Sequence, residues 1–432
     1  MFMGLFKSRG IVFSAVSSFI FSLFLFGVAE KSSVAKSECW MTILVHGSIT
    51  PIIRKPTLNL LIRLVQDRLD GTLYQRATNL IRKDPYFTKD HPMQGLGLEK
   101  VIVDKRVPLS STLFFSQALD LVSDWANSSG KEQKRFYYTY GWSGIVGKKI
   151  RYKDSVRFYK ELSKEVTRLR KAGVDPKIRV IGFSHGGSVA LDLALVCKRE
   201  NLPQTFTVDE MILVGMPIST SMNPQLHSPL FRKIYNLYSR CDSVQRLDFL
   251  ASGGLFSKRF FVPKKGRPLS RKLKQIEIKI MINKKSKHQN ENCLDGYGDN
   301  VKILSGKSKI LKNVSPYHLE NWFFGWTDRG YRRDFPFYPL PVSTIIPVIV
   351  KAVDKHGCEH CSVDIRPEQN KIIVNNRDKK YFVENLFPEK KNLFEMISIV
   401  PKSFIVKRSP KEYWDHVNFC IKKAKLNTSH TF

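Results

Sequence analysis

The sequence predicts an α/β protein, a mostly parallel sheet with helices on both faces. Two observations carry this. Short β-branched segments alternate with amphipathic helical ones along most of the chain, as parallel strands joined by crossover helices require. One junction, VIGFSHGGSVALDLAL at 180–195, also passes from an apolar strand into a helix with almost no loop. So tight a turn forces its apex, Ser184, into strained backbone. Gly182 and Gly186 lack a Cβ, so strand and helix can approach each other there.

The elements follow in chain order. Residues 1–29 stand apart: Lys7 and Arg9 lead, an uncharged apolar run follows, and Gly27-Val28-Ala29 supplies the small residues a signal peptidase needs. They are expected to be a signal peptide or, because the run nearly matches a bilayer, an N-terminal membrane anchor. The body is then exported, secreted or held in the cell envelope. TILVHGS (42–48) is a strand ending in a turn. Residues 49–134 form a long insertion, with helical spacing at 56–81 and 111–123 and room for a lid. RFYYTYGWSG (135–144) is the next strand. A long amphipathic helix then places Val156, Tyr159, Leu162, Val166 and Leu169 on one stripe, and Gly173 stops it. After the Ser184 junction, DEMILVGMP (209–217), KIYNLYSRCDSV (233–244) and KQIEIKIMIN (274–283) supply further strands. Right-handed crossovers bring the C-terminal ends of parallel strands to one edge, where such folds keep their sites. Residues 39–356 read as one domain. Beyond them the texture changes to short strands with polar turns, and 357–432 is expected to be a small C-terminal appendage.

The formal net charge is +33. Such a charge suits nucleic acid, an anionic membrane surface or an acidic wall. The lysines are scattered, however, and no nucleic-acid-binding motif accompanies them, so no specific nucleic-acid partner is expected. A compositional bias toward Lys, Ile, Asn and Phe is the favoured reading of the charge, since no block of five or six lysines occurs. The seven cysteines are odd in number and irregularly spaced, which is no disulfide framework. HGCEHC (356–361) packs His356, Cys358, His360 and Cys361 together, too close on one segment to close a tetrahedron easily, and no metal is assigned there. A local disulfide between Cys358 and Cys361 stays open.

A serine lifted on such a turn is a poor nucleophile until an imidazole takes its proton, and the imidazole needs a carboxylate to fix its tautomer. The residues that answer these needs resemble a known family. VHGS after the first strand, GFSHGG at the turn, YSRCDSV after a later strand and a histidine beyond the last strand together resemble the α/β-hydrolases, nearest in texture to bacterial lipases and esterases. The resemblance covers roughly 40–356. It implies Ser184 as nucleophile, Asp242 as acid and His318, in NVSPYHLENW, as base. Asp209 and Asp248 are weaker rivals for the acid, and His288, His356 and His360 for the base. The resemblance also implies an oxyanion hole from the backbone N–H groups of Ser48 and His185. The antiparallel strands that normally precede VHGS are expected to be missing.

The expected function is an exported serine hydrolase that cleaves carboxylic esters, lipids above all, through an acyl-enzyme and with no cofactor. Acyltransferase, thioesterase and peptidase chemistry on the same triad are the alternatives, and a catalytically inactive surface-binding module is the alternative of another class. Three apolar segments, within 49–134, at 216–231 and at 322–326, are expected to converge on Ser184 and form an acyl pocket.

Overall fold

Alternating side chains decide how the strands lie. In the computed structural model, strand β1 (Cys39–Val45) turns Met41, Ile43 and Val45 to one side of the sheet and Leu44 to the other. Strand β5 (Val208–Val214) repeats the pattern, with Met211 and Leu213 opposite Ile212 and Val214. Both faces are therefore apolar, and both must be covered. The structure describes residues 38–49, 62–63, 66–103, 109–127, 133–246, 257–264, 266–283, 311–325, 335–376, 380–404 and 410–426. The chain divides into the units Met1–Glu38 and Cys39–Phe432, and the expected signal or anchor segment lies outside the described residues. Among the described residues no helix is long and apolar enough to cross a membrane.

After β1 come helix α1 (Leu73–Lys83), strand β2 (Gly97–Lys100), helix α2 (Ser111–Ala126) and strand β3 (Lys134–Gly141). Helix α3 (Lys148–Lys171), strand β4 (Lys177–Phe183), helices α4 (His185–Leu191) and α5 (Leu193–Arg199), and β5 follow. Strands β6 (Phe231–Tyr238), β7 (Leu273–Asn283) and β8 (Leu311–Asn313) precede helix α6 (Ile346–Lys355) and strands β9 (His360–Arg366), β10 (Lys371–Asn376) and β11 (Tyr381–Asn385). The sheet order is β11-β10-β9-β7-β6-β5-β4-β1-β3-β2, with β8 on the end of β7. Every neighbouring pair from β3 to β9 is parallel, while β2, β10 and β11 add antiparallel edges.

Helix α3 covers one face with Phe158, Tyr159, Leu162, Val166 and Leu169, a stripe at helical spacing. Helices α2 and α6 cover the other face. Phe114, Phe115, Ala118, Leu119 and Val122 of α2 are all buried in that core. The stretch expected to leave room for a lid is thus in part a core helix. The insertion also supplies β2, which closes the sheet edge where an antiparallel element was expected to be missing. Among the described residues no strand precedes β1. The segment expected as an appendage is joined to the domain: β9 pairs in parallel with β7, and Val363, Ile365, Ile372, Val374 and Phe387 belong to the same core as α2 and α6. Its alternating Val and Ile residues need a second apolar face, which the edge of the main sheet provides.

Candidate active site

The chain reverses direction across the sheet at β1. From β1 it moves outward to β3, then returns to lay β4 on the opposite side of β1. Loops leaving the C-terminal ends of β1 and β4 part there and open a crevice, where ligands bind in open α/β sheets. Ser184 stands at that point, directly after β4. Its backbone has φ +51° and ψ −131°, a conformation that a non-glycine residue adopts only at a cost. Two hydrogen bonds hold it: the Ser184 N–H donates to the Val214 carbonyl at 2.9 Å, and the Gly187 N–H to the Ser184 carbonyl at 2.9 Å. The glycines around it are steric necessities. A Cβ on Gly182 would lie 2.6 Å from the Gly187 Cα, and one on Gly186 would overlap the His46 carbonyl. Helix α4 packs this closely against both β4 and the end of β1.

The turn after β1 lies beside the serine. A Cβ on Gly47 would come within 3.2 Å of the Ser184 Cβ and 2.9 Å of the Phe183 ring. This turn is held by the buried His46. Its Nδ1 donates to the Gly47 carbonyl at 2.7 Å, while its Nε2 accepts from Arg82 Nη1 at 3.0 Å and from the Trp142 N–H at 3.3 Å. Those partners assign the neutral tautomer with its proton on Nδ1. Trp142 also donates from its indole to the His46 carbonyl at 2.6 Å and stacks on the ring. Burial, reinforced by the Arg82 charge, holds His46 well below the usual histidine range. The same two causes push the neighbouring His91 down to about 3. Ser48, the expected second oxyanion donor, follows in this turn, and the Ile49 N–H then anchors it to the Gly144 carbonyl at 2.9 Å.

Asp242 and His318 meet although 76 residues separate them. Asp242 sits in the turn after β6, fully buried, with Oδ1 accepting from the Gln245 N–H at 3.1 Å. Its Oδ2 lies 2.7 Å from His318 Nδ1. An ionised carboxylate can only accept, so Nδ1 carries the proton and Nε2 is the basic nitrogen. The imidazole stands beside Phe183, the residue before Ser184, with ring centroids 4.7 Å apart. Gly215, after β5, makes room for the pair: a Cβ there would lie 3.1 Å from Asp242 Oδ2 and 3.4 Å from His318 Nδ1. His185 is buried, and its Nδ1 accepts from the guanidinium of Arg151 in the first turn of α3. That bond holds the ring of the residue that directly follows the serine.

No family model, curated protein or solved structure matches this chain.

The rival acids and bases lie elsewhere. Asp209, at the far end of β5, accepts from the Ile178 N–H at 2.9 Å and pairs with Arg232 at 3.0 Å. His356 bonds Glu384 at 2.9 Å, and His360 the Tyr238 hydroxyl at 3.1 Å. Asp248 and His288 lie outside the described residues. Cys358 and Cys361 are free buried thiols, so the local disulfide is not formed, whereas Cys241, next to Asp242, is disulfide-bonded. Of the three expected pocket segments, Trp322 stacks on Phe183 at 5.3 Å, and Phe323 stacks on His91 at 4.4 Å. Leu226, Leu230 and Phe231 instead lie in the core on the α3 face, and Phe114 and Phe115 in the core on the α2 face. Phe115 packs on Trp322 at 5.0 Å within the same core, so two of the three expected segments meet beside Phe183, and Leu226, Leu230 and Phe231 do not join them. Arg82, His91, Trp142, Arg151 and Gly215 escaped the sequence reading. Only the WSG after β3 carried a local signal, an aromatic at a strand end.

Proposed function

We propose that this chain is an exported serine hydrolase of α/β-hydrolase type that cleaves carboxylic esters. The observation that carries the reading is the buried Asp242–His318 pair at 2.7 Å, beside a serine held at φ +51° where the sheet opens. Ser184 attacks the ester carbonyl while His318 Nε2 takes its proton. Asp242 stabilises the imidazolium that forms. The backbone N–H groups of His185 and Ser48 receive the oxyanion, and α4 begins at the nucleophile with its positive dipole end toward it. His318 then protonates the departing alcohol, and water releases the acyl group from Ser184 by the same steps.

Phe323, partly buried and edge-on to Phe183, supplies apolar surface beside the site, which supports an ester with an acyl chain. The charge of +33 favours anionic membrane surfaces. Export is supported by the signal pattern at 1–29 and by a disulfide at Cys241, which persists in an oxidising compartment. The test is a fluorophosphonate probe on the purified protein. The expected result is a single labelled peptide carrying Ser184, with labelling and ester hydrolysis both lost in Ser184→Ala. A folded protein that neither labels nor hydrolyses p-nitrophenyl esters would be an inactive binding module, and the proposal would fall.

A further inference from the structure

A cavity of about 1050 Å³ opens beside the first turn of α3, and none of Ser184, Asp242 and His318 lines it. Its lining is strongly basic: Lys148, Lys149, Arg151, Lys153, Lys198 and Arg199 face it, against one carboxylate, Asp192. That carboxylate is already engaged, accepting from Gln225 Nε2 at 3.3 Å. Lys148, Lys149, Lys153 and Lys198 are exposed, and no ion pair to any of them occurs among the described residues. The α3 terminus itself is partly occupied, since the Lys149 N–H donates to Asp67 at 2.7 Å. The side chains must therefore carry the recognition.

The decisive group is Arg151. It lines the cavity and is 4% exposed; its guanidinium is held by His185, and its Nε is buried with no hydrogen-bond partner among the described residues. Leaving a buried guanidinium donor unsatisfied costs free energy, more than for a neutral group. Nε is closed off from the cavity, so an anion there meets the charge of the guanidinium, which His185 holds in place, and not this donor. Gln204, Ser219, Ser221 and Ser228 also line the cavity and suit hydroxyl groups. A guanidinium flanked by ammonium groups matches a doubly charged phosphoryl group better than a single carboxylate. The volume exceeds what phosphate alone needs and leaves room for a hydroxylated organic part.

We propose that this cavity binds a phosphate ester of a hydroxylated group, with Arg151 at its floor and Lys149, Lys153 and Lys198 at its rim. The site is separate from the ester-cleaving one and does not depend on that assignment. Through Arg151 it touches His185, so an occupant lies one residue from the nucleophile.

The test is calorimetric titration of the full chain with glycerol 3-phosphate and with inorganic phosphate, alongside co-sedimentation with phosphatidylcholine vesicles with and without phosphatidic acid. We expect saturable binding, weakened about ten-fold or more in Lys149→Gln/Lys153→Gln/Lys198→Gln. The exposed triple Lys371→Gln/Lys380→Gln/Lys402→Gln removes the same charge and should bind as the parent does. Binding of free glycerol 3-phosphate with this dependence identifies a soluble phosphate ester. Binding confined to phosphatidic acid vesicles, with the same dependence, identifies a lipid headgroup. Arg151→Gln should also lose binding, but the lysine triple decides the matter if that buried change fails to fold. Ser184→Ala should bind unchanged even if hydrolysis is never observed. No saturable binding to any probe, or equal loss in both lysine triples, or loss in Ser184→Ala, would overturn the proposal.

Discussion

Gly215→Ala probes the acid–histidine pair without altering either member. Gly215 has φ +59°, where an L-residue costs about 1–2 kcal/mol. Its added methyl would also stand 3.1 Å from Asp242 Oδ2. Something must then give by a few tenths of an ångström. The carboxylate cannot swing aside freely, because Oδ1 is held by the Gln245 N–H and the residue is fully buried. The displacement therefore falls on the 2.7 Å bond to His318. Misplacement by 1 Å can cost about 100-fold in rate, so a few tenths should cost roughly three- to ten-fold in kcat. Gly173→Ala supplies the control: φ is +77° there and nothing lies within 4 Å of a Cβ, so backbone strain acts alone. Urea unfolding should show similar destabilisation, about 1–2 kcal/mol, in both variants. Only Gly215→Ala should lose kcat on p-nitrophenyl butyrate, with KM little changed. If it kept full kcat, the Asp242–His318 pair would play no part in turnover. If both variants slowed equally, strain rather than the contact would be responsible.

His318→Ala should abolish ester hydrolysis as fully as Ser184→Ala, and the double variant should be no worse, since triad members act as one unit; additive losses would refute the shared mechanism. Asp242→Asn should lower kcat by about 10⁴ through loss of tautomer control, and a normal rate would assign the acid elsewhere. Gly186→Ala should destabilise by about 3 kcal/mol or fail to fold, because its methyl meets the His46 backbone carbonyl rather than a movable side chain; near-native urea stability would refute that packing. His46 and His91 are held below the usual histidine range, so the unfolded chain takes up protons that the folded chain refuses. Their contribution is complete above pH about 6.5 and is lost as pH falls toward about 3 for His91, at up to about 1.4 kcal/mol per pH unit per ring. His91→Phe keeps a ring against Phe323 and should flatten the stability–pH slope between pH 6 and 4 by that amount; an unchanged slope would show that His91 is protonated in the folded state.

The strands and helices that matter most were legible because their cause is local. Alternating Val, Ile, Leu and Met can bury both faces only as a strand with cover on each side, and the α3 stripe repeats at helical spacing. The turn at Ser184 was legible for the same reason: Gly182 and Gly186 are needed within a few residues of the serine whose backbone they permit. The fates of 49–134 and 357–432 were not legible. Whether α2 caps a cleft or fills a core, and whether β9 starts an appendage or joins β7, depends on which apolar face remains uncovered elsewhere in the chain. The resemblance nominated Asp242 and His318 by order along the chain, but their 2.7 Å contact exists only because β5, β6 and the loop before Trp322 converge. Arg82 under His46, Arg151 under His185 and Gly215 beside Asp242 had no sequence signal. A buried cation or a left-handed glycine is defined by what the fold packs against it, and those neighbours lie 27 to 36 residues away.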